Sequence, residues 1–457
     1  MRLEVIILAA GQGTRMYSEL PKVLHELGGK PLLAHVIAAT QPLQADATHV
    51  VCGHGAEQVR AQVDGPGLDW VLQSEQKGTG HAVLQALPRV DANARVLVLY
   101  GDVPLVQPVT LRALVDAAAD HDLALLTAEL PDPSGYGRIV RDGRNCVLRV
   151  VEEKDASVRE RALREINTGM LVAPALALRR WLADVEADNV QQEYYLTDIV
   201  TLAAKEGCNI ITRQAQSVWE ILGVNSKVEL ANLERMYQQW QAQSLLRQGV
   251  TLRDPGRFDL RGELQAGRDV VIDVNVVLEG KVVLGDGVHI GPNNLIRSSS
   301  IGAGSEVLAN CVIEQAVIGR DCRIGPFARL RPGPQLADHV HVGNFVEIKK
   351  SAIGEGSKIN HLSYVGDTVV GKNVNIGAGT ITCNYDGANK HQTIIGDGAF
   401  IGSDTQLVAP VTVGAGATIG AGSTITKDAP AGVLTLSRAE QKTRRGWKRP
   451  VKKDRES

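Results

Sequence analysis

Residues 395–425 read IGDGAF IGSDTQ LVAPVT VGAGAT IGAGST I, so that Ile395, Ile401, Leu407, Val413, Ile419 and Ile425 recur every six positions. Neither the 3.6-residue period of an amphipathic helix nor the two-residue alternation of a half-buried strand fits this spacing. Glycine follows directly at Gly396, Gly402, Gly414 and Gly420. One aliphatic residue per six, with a glycine behind it, fits a parallel β-helix in which each repeat supplies a short strand and a tight turn. The same period runs upstream through Ile353, Ile359 and Val365, through Ile318, Ile324 and Leu330, and through Ile301, Val307 and Ile313. At this spacing, about ten coils fit into residues 251–428. The frame slips at residues 332–337 and again at 383–393. The second break, Cys383-Asn384-Tyr385-Asp386-Gly387-Ala388-Asn389-Lys390, has turn residues and no inward aliphatic, so a loop extruded from the coil is expected there.

Before Asn225 the pattern is different. Apolar runs at residues 5–8, 49–52 and 95–100 each lead into a glycine, with helical stretches between them. This predicts parallel strands linked by helices, a doubly wound, Rossmann-like α/β domain over residues 1–225 with its crevice at the carboxyl ends of the strands. Residues 226–247 are polar and helix-forming, with Leu230, Leu233, Tyr237 and Trp240 on one face. They predict a connecting helix within a linker of residues 226–250, and the β-helix with its tail takes residues 251–457. A chain of 457 residues exceeds what one core organises.

Lys and Arg (49) balance Asp and Glu (51), leaving a formal charge of -2. That excludes a general attraction to nucleic acid or anionic membrane, so any phosphate binding must be local. Six scattered cysteines show neither zinc-site spacing nor a disulfide framework and read as reduced thiols. No apolar run approaches membrane length, and residues 3–8 are too short for a signal sequence. A cytoplasmic enzyme without membrane insertion is expected.

Ala9-Ala10-Gly11-Gln12-Gly13-Thr14-Arg15-Met16 follows the first strand, as a phosphate-cradling turn does. Met16 at the third glycine's place excludes the dinucleotide fingerprint, and the lack of Gly-Lys-Ser/Thr excludes a Walker A loop. Alone, such a turn reads either as a cradle or as a plain tight turn. Together with Leu20-Pro21-Lys22-Val23-Leu24, it resembles the signature of sugar-phosphate nucleotidyltransferases. The resemblance implies that Leu8, Ala9, Ala10, Gly11 and Lys22 hold UTP. It also makes Arg15 and Lys22 catalytic, since positive charge must meet the negative charge that grows as pyrophosphate leaves. Tyr100-Gly101-Asp102 ends an apolar strand, which places Asp102 at the crevice edge, where a carboxylate suits Mg²⁺. The resemblance supplies Asn225 as the second metal ligand, a residue that by itself reads as a loop or capping position. It further implies that Gln73, Gly78 and Thr79 read uracil, that Tyr100 and Gly101 line the nucleotide site, and that Gly137, Glu152 and Asn167 hold N-acetylglucosamine phosphate. No serine or cysteine nucleophile motif is present, and direct displacement needs none.

Acetylating an amine requires a base and donors for a tetrahedral oxyanion. His361 lies two residues past the inward Ile359, where the coil turns a corner, so its ring points outward. Standing alone it reads as a surface histidine. Over essentially its full length, however, the chain resembles the bacterial family of bifunctional UDP-N-acetylglucosamine pyrophosphorylases and glucosamine-1-phosphate N-acetyltransferases. The resemblance makes His361 the base, gives Arg331, Lys349, Tyr364, Asn375 and Lys390 to glucosamine phosphate, and gives Ala378, Asn384, Tyr385, Ser403, Ala421 and Arg438 to acetyl-CoA. It also implies Mg²⁺, a product used in peptidoglycan and lipopolysaccharide synthesis, a homotrimer with shared acetyl sites, and a left-handed coil where the general crossover rule favours a right-handed one. Two other readings compete. In one, a nucleotidyltransferase carries a β-helix that only oligomerises or binds a regulator, against which stand His361, the 384–385 loop and Lys390. In the other, the chain is a trimeric scaffold, which would leave Arg15, Lys22 and Asp102 idle. The basic segment 442–453, with Trp447, reads either as a contact for CoA phosphates or as a solubilising tail.

Overall fold

A computed structural model describes residues 2–118 and 122–452, so Lys453, the last residue of the basic segment, lies outside the described residues. The chain divides into two compact units, Met1–Gln241 and Ala242–Ser457.

The first unit is built on a nine-stranded sheet: β1 Leu3–Ala9, β2 Ala47–Cys52, β3 Leu68–Leu72, β4 Arg95–Tyr100, β5 Leu123–Glu129, β6 Gly137–Arg141, β7 Val147–Val151, β8 Glu165–Pro174 and β9 Ile210–Gln214. The order along the sheet is β9-β5-β8-β4-β1-β2-β3, with β6 and β7 attached beside β8. Strand β1 is buried at every position because both of its faces are covered. Val5, Ile7 and Ala9 enter one core and Ile6 and Leu8 the other. The sheet is not wholly parallel, as the apolar runs alone would have it. Strand β8 runs antiparallel between β4 and β5, with Leu171 opposite both Val98 and Leu125. The link from β5 to β8 passes through the β6–β7 antiparallel pair, without the long crossover that a parallel return requires.

Helix Lys227–Arg247 follows the sheet, and the division between the units falls within it. Leu233 is buried with Met16, Leu27, Leu32, Leu105 and Val224, while Leu230 and Tyr237 pack against that cluster. Trp240 stacks on Tyr237 with ring centroids 5.9 Å apart.

In the second unit every rung is a strand of two to nine residues paired in parallel with the next. One face holds eleven strands, from Thr251–Leu252 to Leu434–Thr435. Inward aliphatic residues stack in columns, as in Ile301, Ile318, Leu336, Ile353, Val370, Ile395 and Val413, all buried. The first expected slip, at residues 332–337, is not found: Leu330, Leu336, Val342 and Ile348 keep the six-residue spacing and are all buried, and Gln335–Leu336 is a strand paired with Val317–Ile318. The second falls between strands. Val370 pairs with Ile395 in unbroken register, and after the rungs Asn375–Ile376 and Ile381–Cys383 the chain leaves the coil as a loop closed by a Tyr385–Lys390 bridge before rejoining at Thr393. Among the described residues, no helix is long and apolar enough to cross a membrane.

Because Ile401 is fully buried in its column, Ile401→Ala is expected to lower the unfolding free energy by about 2–5 kcal/mol. Thr418→Ala, on an exposed position of the next rung, is expected to stay within about 0.5 kcal/mol. Urea denaturation of the two variants checks the contrast.

Candidate active sites

At the carboxyl end of β1 and β4 the first unit encloses a cavity of about 510 Å³. Leu8, Ala9, Ala10, Gly11, Lys22, Gln73, Gly78, Thr79, Tyr100 and Asp102 all line it. Gly101 lies behind that wall, its N–H donating to the Leu8 carbonyl at 2.9 Å. Arg15 is exposed on the adjoining turn Thr14–Met16, which is anchored by the buried Met16.

The Lys22 ammonium bonds the Asp102 carboxylate and also reaches the Asn225 side-chain oxygen at 3.1 Å. A backbone bond from Val224 N–H to the Asp102 carbonyl, 2.9 Å, brings the two segments together. Ser226 rather than Asn225 caps the following helix, because the Ser226 hydroxyl accepts from Glu229 N–H while the Glu229 carboxylate accepts from the N–H groups of Asn225 and Ser226. The Asn225 side chain is thereby left for Lys22. Two oxygens thus converge on one cation. That donor set, a carboxylate and an amide oxygen beside an open cavity, fits a hard divalent ion that keeps water and phosphate as its other ligands. Among the described residues no group of three or more His, Cys, Asp or Glu forms a metal cluster, so any such ion would rest on this pair and its substrate.

Beyond Asp102 lies a second set. Asn167 on β8 pairs in register with Gly137 on β6, and a side chain at Gly137 would stand 3.3 Å from Glu152. Burial pushes the Glu152 carboxyl up from its ordinary value, partly offset by the bond from the Thr197 hydroxyl at 3.0 Å. Among the described residues the buried Asn167 Oδ1 has no partner, as expected of an acceptor that waits for a ligand donor. Tyr100 is half-buried with its ring against Gly169, whose φ of +82° and lack of a side chain leave room for it. Burial, with Glu152 and Asp102 nearby, pushes the Tyr100 hydroxyl up. Thr197 and Glu193, which lines the cavity, escaped the sequence reading. They lie in a stretch without motif or period.

In the second unit His361 is exposed outside the coil, and its Nδ1 faces the Asn344 side-chain oxygen at 2.8 Å. Asn344 also went unrecognised, although the two are 17 positions apart, one coil, and pair in register. The corner that carries them continues from coil to coil. Leu362 N–H donates to the Asn344 carbonyl (3.1 Å), Gly379 to His361 (3.3 Å), Asp404 to Ala378 (2.7 Å) and Gly422 to Ser403 (2.8 Å). Asn344, His361, Ala378, Ser403 and Ala421 therefore form one column, and at about 4.8 Å per coil His361 and Ala421 stand roughly 14 Å apart. Arg438 closes it, donating to the Ala421 carbonyl at 2.8 Å.

On another face Lys349 and Lys390 approach so closely that each opposes the other's charge. Lys390 first, then desolvation, pulls the Lys349 ammonium down from its ordinary value, and Arg331 adds to the effect. Arg331 bonds Glu347 at 3.0 Å. Asn384 is buried beside the Tyr364 hydroxyl, 3.4 Å away, and bonds Asp367. The loop it opens is tied by Asp386, whose carboxyl is held well below the usual range by the Asn389 and Ala388 N–H groups and His391. Tyr385 on this loop is exposed. Asn375 is not brought to the cations. It pairs with Lys358 and Phe400, and no hydrogen bond joins it to that cluster among the described residues.

Comparison with known proteins agrees with both halves. Residues 5–252 match the MobA-like NTP transferase domain, residues 260–343 the GMPPB C-terminal domain, and residues 392–427 six repeats of the bacterial transferase hexapeptide. The chain is 60% identical over 451 residues to a Bifunctional protein GlmU from Cupriavidus pinatubonensis, covering 99% of both chains. The chain belongs to the bifunctional GlmU family. Relatives in the family from Aromatoleum aromaticum, 60% identical over 99% of both chains, and Methylococcus capsulatus, 58% identical over 100% of this chain and 99% of its own, match equally end to end. With the hexapeptide match the coil is the left-handed β-helix of this class, in contrast to ordinary right-handed crossovers.

Removing one ammonium should relax the other. In Lys390→Met the Lys349 side chain is expected to titrate higher than in the unmodified protein, which NMR of the lysine side-chain carbons and nitrogens reads directly.

Proposed function

We propose that the two sites carry the two half-reactions of UDP-N-acetylglucosamine synthesis. The chain is a UTP:N-acetylglucosamine-1-phosphate uridylyltransferase and a glucosamine-1-phosphate N-acetyltransferase, and the single observation that carries the assignment of sites is the pairing of two separate geometries. One gathers Lys22, Asp102 and Asn225 at the mouth of a nucleotide-sized cavity. The other sets an exposed imidazole at the head of a column of small residues.

Acetylation comes first. Nδ1 of His361 is held by Asn344, which leaves Nε2 to take the proton of the substrate amine as it attacks the thioester carbonyl of acetyl-CoA. Arg331, Lys349 and Lys390 neutralise the phosphate of glucosamine-1-phosphate, with Tyr364 alongside, and an anion between the lysines relieves the repulsion that pulls the Lys349 ammonium down. Ala378, Ser403 and Ala421 leave a shallow track for a pantetheine arm, with Asn384 and Tyr385 at its side and Arg438 at its end.

In the first unit the phosphate of N-acetylglucosamine-1-phosphate attacks the α-phosphorus of UTP in line, and pyrophosphate leaves. Lys22 and Arg15 meet the charge that develops on the triphosphate. Gln73, Gly78 and Thr79 hold the base, and Asn167, Glu152 and Gly137 orient the sugar. Asp102 and Asn225 would hold Mg²⁺, which supplies charge neutralisation at the phosphates when bound.

Assembly as a homotrimer is part of the same reading. Phe327 and Phe345 stack at 5.3 Å on the outer corner of the coil and Leu362 follows them beside His361, all three exposed and all at positive φ. Bulky apolar residues held in that conformation and facing water call for a covering surface, and Asn375, which no hydrogen bond joins to the Lys349–Lys390 cluster among the described residues, fits a site completed by a neighbour. Six free thiols accord with a cytoplasmic location.

Two assays on each variant test the assignment: thiol release from acetyl-CoA with glucosamine-1-phosphate, and pyrophosphate release from UTP with N-acetylglucosamine-1-phosphate. His361→Ala is expected to lower thiol release by roughly 10²–10⁴-fold and leave pyrophosphate release unchanged. Asp102→Ala should do the reverse, and chelation with EDTA should stop only pyrophosphate release. Loss of both activities in one folded variant would contradict separate sites.

A further inference from the structure

Gln73 is almost wholly buried, and it lines the nucleotide cavity. Its amide nitrogen lies 3.3 Å from the Gly78 carbonyl and 2.9 Å from Nδ1 of His81. A carbonyl oxygen only accepts, so the group that faces Gly78 is the NH₂. Its second hydrogen then points at His81, whose Nδ1 presents a lone pair. With both hydrogens engaged, Oε1 is the one polar atom of the amide that no described residue uses. A neutral imidazole has a single acceptor nitrogen, yet a second glutamine nitrogen, that of Gln85, stands 3.1 Å from Nε2. Turning the Gln73 amide would set its oxygen against the Gly78 carbonyl, two acceptors face to face. Gln85 is half-exposed, and rotating its amide offers an oxygen to Nε2–H at the loss of a 3.4 Å bond to the His81 carbonyl. The conflict therefore resolves in favour of Gln73.

We propose that His81 is a positioning residue for base selection, fixing the Gln73 amide so that an acceptor oxygen, and no N–H, is left for the base. Uracil offers N3–H to that oxygen. Cytosine carries a lone pair at the same ring position, so two acceptors would face each other and the buried amide would lose its partner. His81 thus sets the preference for UTP over CTP without touching either. The inference rests on the reading of this cavity as the UTP site.

The test compares kcat and KM for UTP and CTP, with N-acetylglucosamine-1-phosphate as co-substrate, in the unmodified protein and in His81→Ala, His81→Phe, His81→Asn and Gln73→Ala. Thiol release from acetyl-CoA in the same preparations certifies folded protein. His81→Ala, or His81→Phe should the smaller residue fail to fold, is expected to reduce the UTP-over-CTP ratio of kcat/KM by roughly tenfold or more, chiefly through a higher KM for UTP. His81→Asn, whose side-chain oxygen takes the place of Nδ1, should restore most of the preference. An equal loss for both nucleotides, with the ratio unchanged, would mean that His81 is merely structural. If Gln73→Ala erases the ratio while the His81 variants keep it, the proposal fails and base reading by Gln73 survives. If Gln73→Ala leaves the ratio intact, base reading by Gln73 fails and the proposal with it.

Discussion

The backbone hydrogen bonds between successive coils are the constraint on which the second unit depends. Each rung donates to the next in parallel register, so a residue is stacked on whatever occupies the same position one coil away. Inside, this makes aliphatic columns. Outside, it makes columns of charge: Arg261, Glu279, Arg297 and Glu314 are consecutive in register, and their ions pair along the column, as in Arg261–Glu279 at 3.1 Å and Arg297–Glu314 at 3.0 Å. Exposed pairs of this kind add little stability, but alternation spares the rung-to-rung spacing from like-charge repulsion. One register step beyond, the alternation breaks. Arg331, which pairs with Glu347, is followed by Lys349, with Lys390 beside it, so like charges meet where the column had alternated.

In the first unit the governing arrangement is electrostatic. Asp102 arrives on the turn after β4, Lys22 on a turn after β1 and Asn225 just before a long helix, and the bond from Val224 to the Asp102 carbonyl fixes their meeting. Strand ends of an α/β sheet converge on one crevice, so residues distant in sequence become neighbours there. The antiparallel β8 carries Asn167 opposite Gly137, the pair proposed above for the sugar.

The hexapeptide period made the β-helix legible, because one aliphatic residue per six is a rigid geometric demand that few other folds share. The second frame slip was visible for the same reason, whereas at residues 332–337 the chain keeps its six-residue spacing through the buried Leu336, which a count broken by Pro332 and Pro334 obscures. The alternation of short apolar runs gave the α/β sheet but not the direction of β8, since an apolar strand buried on both faces reads alike whichever way it runs. Among the site residues, Lys22 and Asp102 stood next to recognisable turns, and their meeting follows from topology. Asn344 was hidden because its partner lies one coil away, a relation seen only when the sequence is wrapped at the coil length. Thr197 and His81 were hidden for another reason: each acts through a residue already identified, Glu152 and Gln73, and indirect contacts leave no local pattern.

The loop closed by the Tyr385–Lys390 bridge leaves the solenoid and rejoins it with Val370 still opposite Ile395. Its length is therefore invisible to the stack above and below. A single residue inserted within a strand would reverse the facing of every side chain up to the next turn, whereas several inserted at the tip of this excursion would disturb nothing beyond its neck. Natural variation has a place to accumulate here without endangering the scaffold, and a transplanted excursion is the simplest way to alter this surface.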